Sequence, residues 1–253
     1  MSGTLYLVPA TLGDLKTAQG AEAKDAKDGG LLDTSLPPAV RARIATLTAY
    51  AVEDAKTARA FLKAVGTILP LQSIDIVEIG HQPDARQLKP LMDKLAQGVD
   101  VGVLSEAGCP GIADPGSQLA RLAHGAGVKV VPLVGPSSIL LALMASGLEG
   151  QRFAFHGYLP VKSPAREEAI RELETRSRRQ RETEIVIETP YRNGALHQAL
   201  IAQLKPDTWL CVAVDLTLPT ERVITRRVAA WKQAPAGDLA PDKHPAVFLF
   251  LAA

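Results

Sequence analysis

Residues Val101–Gly116 read VGVLSEAGCPGIADPG. The first four are apolar without a break, as in a strand covered on both faces. Five of the next twelve, Gly108, Pro110, Gly111, Pro115 and Gly116, are Gly or Pro, so backbone conformation rather than side-chain packing shapes this loop. Beyond it, Leu119, Leu122 and Ala123 recur at helical spacing and the pattern stops at Gly127. Asp114 is the expected N-cap of that helix, with Pro115 at its first position. Strand, long loop and helix make the unit of an open α/β sheet, whose ligands bind outside the carboxyl ends of the strands.

The same rhythm extends outward. Thr4–Val8, Leu47–Val52, Ile74–Ile79 and Val128–Leu133 read as further strands. Ala58, Phe61, Leu62 and Val65 give Ala55–Val65 one buried helical face, ending at Gly66. Leu88, Leu91 and Leu95 repeat that pattern before Gly98, with Pro90 either starting or bending the helix. These alternations predict a parallel sheet with helices on both faces. One stretch departs from them: Gly13–Pro38 is rich in Ala, Gly, Asp and Lys and reads as a mobile loop or lid.

Around Pro132–Pro136 the pattern changes, which predicts an N-terminal α/β domain over residues 1–134 and a C-terminal mixed-sheet α/β domain over 135–253. The second domain opens with a helix over Ser138–Ser146, begun by Ser137 and ended by Gly147. Strands are expected at Phe153–His156, Glu184–Glu188, Trp209–Leu216, Arg222–Val228 and Ala246–Leu251. Helices are expected at Ala165–Arg178 and Gly194–Leu204, with a short turn at Ala229–Gln233.

Composition narrows the partners. The 253 residues carry 28 Lys plus Arg against 27 Asp plus Glu, which argues against nucleic-acid binding through an overall positive field and makes any such contact regional. Only 4% are aromatic, little material for an extended base-stacking platform. No apolar run approaches the roughly 20 residues that cross a bilayer, and the N-terminus has no signal-peptide pattern, so a cytoplasmic protein without a membrane partner is expected. Cys109 and Cys211 form neither a disulfide framework nor a Cys-x-x-Cys site. His81, His124, His156, His197 and His244 are dispersed, each read as an ordinary surface or core histidine, and no metal is expected.

Familiar cofactor and hydrolase signatures are missing: there is no G-x-G-x-x-G after a strand, no phosphate-binding lysine loop, no H-E-x-x-H and no G-x-S-x-G. A second loop resembles the first in character. Val131–Ile139, VPLVGPSSI, runs from a strand end through Gly135-Pro136 into a serine-led helix start, whose free amides can meet a polar ligand group.

Taken together, VGVLSEAGCPGIADPG, VVPLVGPSSILLALMASGL and FHGYLPVK resemble the tetrapyrrole methylase superfamily of S-adenosylmethionine-dependent methyltransferases. LYLVPATLGD, VEDAK, IVIETPYRN and TERVITRRVAAW extend the likeness in family order over nearly the whole chain, most nearly to the ribosomal RNA small subunit methyltransferase I group. That group methylates a ribose 2′-hydroxyl of a cytidine in 16S rRNA. The resemblance implies a homodimer that binds S-adenosylmethionine in the cleft between its two domains. It implies cofactor contacts from Pro9, Ser105, Gly108, Cys109, Pro110 and Ile112, from Ser138 and Ile139, and from Ile187, Pro245 and Ala246.

Methyl transfer is an in-line displacement whose reactive group belongs to the cofactor, so the protein chiefly aligns the partners. A ribose hydroxyl gains from a group that takes its proton. Glu53, Asp54, Glu106, Asp114 and Lys56 stand at matching positions as candidates for that group, with Glu53, Glu106 and Asp114 the candidate catalytic residues and Lys56 also a candidate substrate contact. Each has a plain structural alternative: Asp114 and Asp54 as helix caps, Glu53 as a partner of Lys56 or Arg59. Lys162 and Arg192, within FHGYLPVK and ETPYRN, are candidate substrate contacts. The arginines of 176–181 and 222–227 suit either phosphate contact or, for the first group, an ion-paired helix face shared with neighbouring glutamates.

The chain departs from the group where Glu106 and Cys109 replace the usual Asp and Thr, where VPATLGD replaces VPTPIGN and where VEDAK replaces AEDTR. An RNA or small-ribosomal-subunit methyltransferase is the leading expectation. A methyltransferase acting on a tetrapyrrole or other small molecule, and a cofactor-binding protein without catalysis, are the alternatives.

Overall fold

In a computed structural model, residues 2–13, 30–233 and 243–253 are described. The chain divides into two units, Met1–Ser137 and Ser138–Ala253.

The first unit runs β1 (Thr4–Val8), α1 (Gly30–Ser35), α2 (Pro38–Thr46), β2 (Ala49–Val52), α3 (Ala55–Val65), β3 (Asp75–Glu78), α4 (Ala85–Ala96), β4 (Val101–Leu104), α5 (Ser117–Gly125) and β5 (Lys129–Pro132). Its five strands are all parallel, in the order β3-β2-β4-β1-β5. Val8, Leu104, Val52 and Glu78 lie in one register, so the strands end together and their exits share one edge.

Alternation along the strands supplies two cores. Tyr50, Val52, Val8 and Leu104 face Ile44, Phe61 and Leu62 of α2 and α3. Ala49, Ala51, Val101 and Val103 face Leu88, Leu91, Leu95, Leu119 and Ala123 of α4 and α5. Each fully buried Leu or Phe contributes about 1.5–3 kcal/mol, and covering on both faces explains why the strands read as unbroken apolar runs. Tyr50 hides its phenol in the first core by donating a hydrogen bond to the Ile44 carbonyl at 2.7 Å.

Three local expectations are corrected. Residues 30–38 do not form a loop: Leu31 and Leu32 of α1 and Leu36 after it are buried, and with Val40 and Ile44 they make an apolar stripe continuing through the Pro37-Pro38 start of α2. The rest of the expected lid, residues 14–29, lies outside the described residues. Pro90 does not start α4; Asp84 does, through a capping box with Gln87, leaving Pro90 inside the helix. Asp114 does not cap α5. Gly116 is the N-cap at φ +131, and Leu122 is exposed, leaving Leu119 and Ala123 as the buried positions.

The second unit runs α6 (Ser138–Ser146), β6 (Phe153–Tyr158), α7 (Ala165–Gln180), β7 (Thr183–Ile187), a 3₁₀ turn (Pro190–Arg192), α8 (Asn193–Gln203), β8 (Trp209–Val214), β9 (Arg222–Arg227), α9 (Val228–Trp231) and β10 (Ala246–Leu251). Its sheet is mixed, in the order β6-β7-β10-β8-β9, with β6 and β7 parallel and the other pairs antiparallel. Val186, Leu210, Val212, Phe248 and Phe250 of the sheet build its core with Ile170 of α7 and Leu196 and Leu200 of α8. Within the first arginine group, Arg176 meets Glu182 at 2.6 Å and Arg178 lies 4.0 Å from Asp207.

Candidate functional site

At the shared strand edge of the first unit, three segments come to backbone contact. The Ala10 amide, two residues past β1, donates to the Gly108 carbonyl at 2.8 Å. Gly108 has φ +65, and a Cβ there would stand 3.2 Å from Leu12 Cδ2 and 3.5 Å from the Pro136 carbonyl. A Cβ on Gly135 would collide with the ring of Pro9, which is buried. Gly135 leaves no room for a side chain, and Gly108 takes a left-handed backbone conformation that other residues rarely adopt. Cys109 Sγ lies 3.4 Å from the Pro136 carbonyl, and burial, followed by the charge of Asp114, raises its thiol pKa.

The rest of the loop is a coil of positive-φ residues, Gly111 at +83, Ala113 at +62 and Gly116 at +131. It is closed by the Gly111 amide donating to the Pro115 carbonyl at 3.0 Å. This backbone turns Asp114 away from the amides of α5 and toward Ser105, which hydrogen-bonds its side chain. Ser105 is buried, Pro110 is buried and Ile112 is exposed.

The three candidate carboxylates belong to one neighbourhood. Glu53, the residue after β2, is only 9% exposed; its Oε2 accepts from the Glu106 amide at 3.2 Å. Its Oε1 lies 3.0 Å from Nδ1 of His81, just past β3, whose ring is 80% exposed. Glu53 therefore links the exits of β2, β3 and β4. Partial burial raises the Asp114 carboxyl to about 6, the Glu53 carboxylate adds to the rise, and the Ser105 hydrogen bond opposes it. Glu106 is also raised, first by partial burial and then by Glu53 and Asp54, with His81 pulling the other way. Asp54 does cap its helix: it accepts from the Thr57 amide at 2.7 Å, which lowers its pKa. Lys56, on the first turn of α3, is exposed and acts on Asp54.

In the second unit, Ser138 and Ile139 open α6, both half-buried. Ile187 ends β7 opposite Val247, the Pro245 carbonyl accepts from the Asp215 amide at 3.0 Å, and Ala246 pairs with Val214. These three positions therefore share one edge of the mixed sheet. Arg192 Nη2 donates to Glu188 Oε1 at 2.7 Å, and Lys162 is exposed between β6 and α7.

Two features of these edges are not apparent from motif reading. His81 follows Gly80 at the end of a strand, the place in an α/β sheet where function collects; a lone histidine there gave no spacing signal. Asp215, buried at φ +54 just past β8, accepts from Thr220 Oγ1 at 2.7 Å and lies 2.8 Å from His244 Nδ1. Among the described residues, no group of three or more His, Cys, Asp or Glu side chains is arranged to hold a metal ion. No described helix is long and apolar enough to cross a membrane.

Comparison with known proteins identifies the family. The family model for tetrapyrrole (corrin/porphyrin) methylases matches residues 33–230. A ribosomal RNA small subunit methyltransferase I from Neisseria meningitidis serogroup B is 32% identical over 226 residues, covering 86% of this chain and 74% of that protein. The Escherichia coli O157:H7 protein of that name is 28% identical over 239 residues, covering 94% and 71%. With the Vibrio cholerae protein of that name, identity is 38% over 140 residues, and the aligned part spans 47% of the relative's length. Among solved structures, the methyltransferase CobJ superposes with a TM-score of 0.61 at 17% identity, covering 100% of this chain and 95% of that one. A uroporphyrin-III-C-methyltransferase from Thermus thermophilus gives 0.52 at 18%, covering 98% and 94%. The structural likenesses speak for the fold alone, and the family match over most of the chain shows that this protein belongs to the tetrapyrrole (corrin/porphyrin) methylase family.

Proposed function

We propose that the chain is an S-adenosylmethionine-dependent methyltransferase that modifies RNA, with a ribose 2′-hydroxyl of 16S rRNA as acceptor. The observation that carries the substrate is the alignment with the Neisseria relative, at 32% identity over 74% of a protein named for ribosomal RNA. The residues fit the cofactor: Gly108 and Gly135 let main chain approach main chain beside Pro9, Ser105, Cys109, Pro110 and Ile112, and neither glycine puts a side chain into that space. Ser138, Ile139, Ile187, Pro245 and Ala246 are the second unit's proposed cofactor positions. When bound, S-adenosylmethionine supplies an electrophilic methyl group on a sulfonium.

This chain's own residues then handle the hydroxyl. Asp114 is the proposed proton acceptor, because its carboxyl is held near 6, is half-buried and is not engaged as a helix cap. Glu53 is fixed by the Glu106 amide and His81, so its proposed role is to set the charge that Asp114 experiences. Glu106, exposed beside them, is the proposed contact on the solvent side, and Lys56, Lys162 and Arg192 are proposed substrate contacts. A homodimer acting in the cytoplasm, where small ribosomal subunits are found, completes the proposal.

The test is transfer of labelled methyl from S-adenosylmethionine to small ribosomal subunits from a strain deleted for the gene. Label in the 16S rRNA ribose is expected. Label confined to a small-molecule extract would move the acceptor to a tetrapyrrole-like compound, in line with the names of the structural neighbours. No binding of S-adenosylmethionine at millimolar concentration in calorimetry would end the methyltransferase reading.

A further inference from the structure

The chain has eleven Phe, Tyr and Trp residues, of which Tyr50, Phe61, Trp231, Phe248 and Phe250 are buried. Two tyrosines of the second unit are not. Tyr191 is 85% exposed and Tyr158 is 56% exposed. Both sit where the fold has made a special arrangement for them.

Tyr158 ends β6 beyond an irregularity in the pairing. Phe155 lies opposite Ile185, but the next matched pair is Tyr158 with Ile187, so β6 carries one more residue than β7 over this interval. Gly157, at φ +65, absorbs the extra residue. Such a bulge changes the direction in which the following side chain points, and bulges collect beside functional sites. Tyr191 sits in the 3₁₀ turn just after β7, which is pinned by the Lys243 amide donating to the Pro190 carbonyl at 3.0 Å and the Arg192 amide donating to the Thr189 carbonyl at 2.9 Å. The turn holds an exposed ring on fixed backbone.

Arg192 connects the two positions. It follows Tyr191 directly, and its guanidinium lies within electrostatic reach of Tyr158 while donating to Glu188 at 2.7 Å. Lys162, exposed four residues after Tyr158, adds a second cation. With Arg192 partly answered by Glu188, two cations make a weak phosphate clamp. A duplex, recognised through its backbone, would need more unpaired positive charge. Exposed aromatic faces with modest positive charge suit unstacked bases, whose π-faces every nucleotide presents.

We propose that Tyr158 and Tyr191, flanked by Lys162 and Arg192, form a stacking surface for unpaired bases of a single-stranded RNA segment. The proposal rests on the reading of RNA as methyl acceptor and adds how that RNA is gripped.

The test uses the full chain with S-adenosylmethionine present and a fluorescein-labelled, unstructured oligoribonucleotide of about 10 nucleotides, a length typical of single-strand sites. By anisotropy, Tyr158→Ala and Tyr191→Ala are each expected to weaken binding about fivefold or more. Tyr→Phe at either position keeps the affinity and Tyr→Leu, of similar bulk without a ring, does not. S-adenosylmethionine affinity by calorimetry stays unchanged in all of them, and a duplex of the same sequence binds more weakly than the single strand. Alanine variants that bind the oligonucleotide as the wild type does, while label still enters ribosomal RNA, would overturn this surface and leave the RNA reading standing. A change of sedimentation coefficient in those variants would assign the tyrosines to contact with a second copy instead. Failure of the wild type to bind or label any RNA would remove both.

Discussion

Burial and charge act on Asp114 in the same direction, and both favour its protonated form. Its carboxyl is raised to about 6 from an ordinary 3.8, so the folded chain binds this proton more tightly than the unfolded chain does. The resulting stabilisation is full below the unfolded value, declines as pH rises through the interval up to about 6, and is absent above it. Asparagine has no charge to bury at any pH. Asp114→Asn should therefore melt higher than the wild type at pH 8 and match it near pH 4. At a half-exposed site, solvent screening reduces the gain to about 1 kcal/mol, or about 2–4 °C for a chain of this size. Methyl transfer should respond in the opposite sense, falling by about 100-fold or more and losing the acid limb expected near pH 6 in the wild type. A stabilised variant with full activity would take the proton-accepting role away from Asp114. Gly108 offers a complementary test of the cofactor loop. Valine there must adopt φ +65 with its Cβ 3.2 Å from Leu12, so Gly108→Val should abolish S-adenosylmethionine binding in calorimetry. Retained affinity would put the cofactor elsewhere.

At the scale of elements, the strands and most helices are legible because a single local cause sets each one. Val101–Leu104 reads as apolar because both its faces are covered, and α3 shows its stripe because one face meets the sheet. Misreadings occur where that cause is not local. Asp114-Pro115 has the chemistry of a helix start, yet the positive φ of Ala113 and Gly116 rotates the aspartate out of line with the helix amides. Leu31, Leu32, Leu36, Val40 and Ile44 are spaced mostly four apart, but a Gly-, Asp- and Lys-rich approach and two prolines obscure the repeat. The Glu53 and His81 pair joins residues 28 positions apart through neighbouring strand ends, information held by topology and by no motif. Asp84 shows what local chemistry does decide. Its carboxylate accepts from the Arg86 and Gln87 amides at 2.8 and 2.9 Å, which fixes where α4 begins. Asp84→Ala should cost about 1 kcal/mol, lowering the melting temperature by about 2–4 °C, while labelled-methyl transfer stays at the wild-type rate. A loss of activity out of proportion to stability would tie α4 to the site.

Over the whole molecule, 28 basic residues stand against 27 acidic ones, and many cations are answered close by. Lys89 pairs with Asp93, Lys94 with Asp75, Arg176 with Glu182 and Arg192 with Glu188. Arg226 and Arg227 lie over the rings of Trp231 and Trp209. RNA held by such a surface exchanges few counterions. Each phosphate contacted on a single strand adds about −0.7 to the slope of log affinity against log salt. Contacts from Lys162 and Arg192 alone therefore predict a slope between about −1 and −2, shallow for an RNA-binding protein. Binding of that kind is weak and nearly indifferent to sequence, so selection of one nucleotide must come from contacts that only a folded particle presents together. A second simultaneous contact raises apparent affinity by roughly a hundredfold without any new chemistry at the first. Methyl transfer at low enzyme concentration should accordingly favour assembled small subunits over protein-free 16S rRNA by roughly that factor, measured as initial rates of label incorporation. Equal rates on the two substrates, or a slope of about −5 or steeper, would reveal a strong basic surface made elsewhere on the protein or by association of two copies, and would shift RNA recognition from the tyrosine surface to that one.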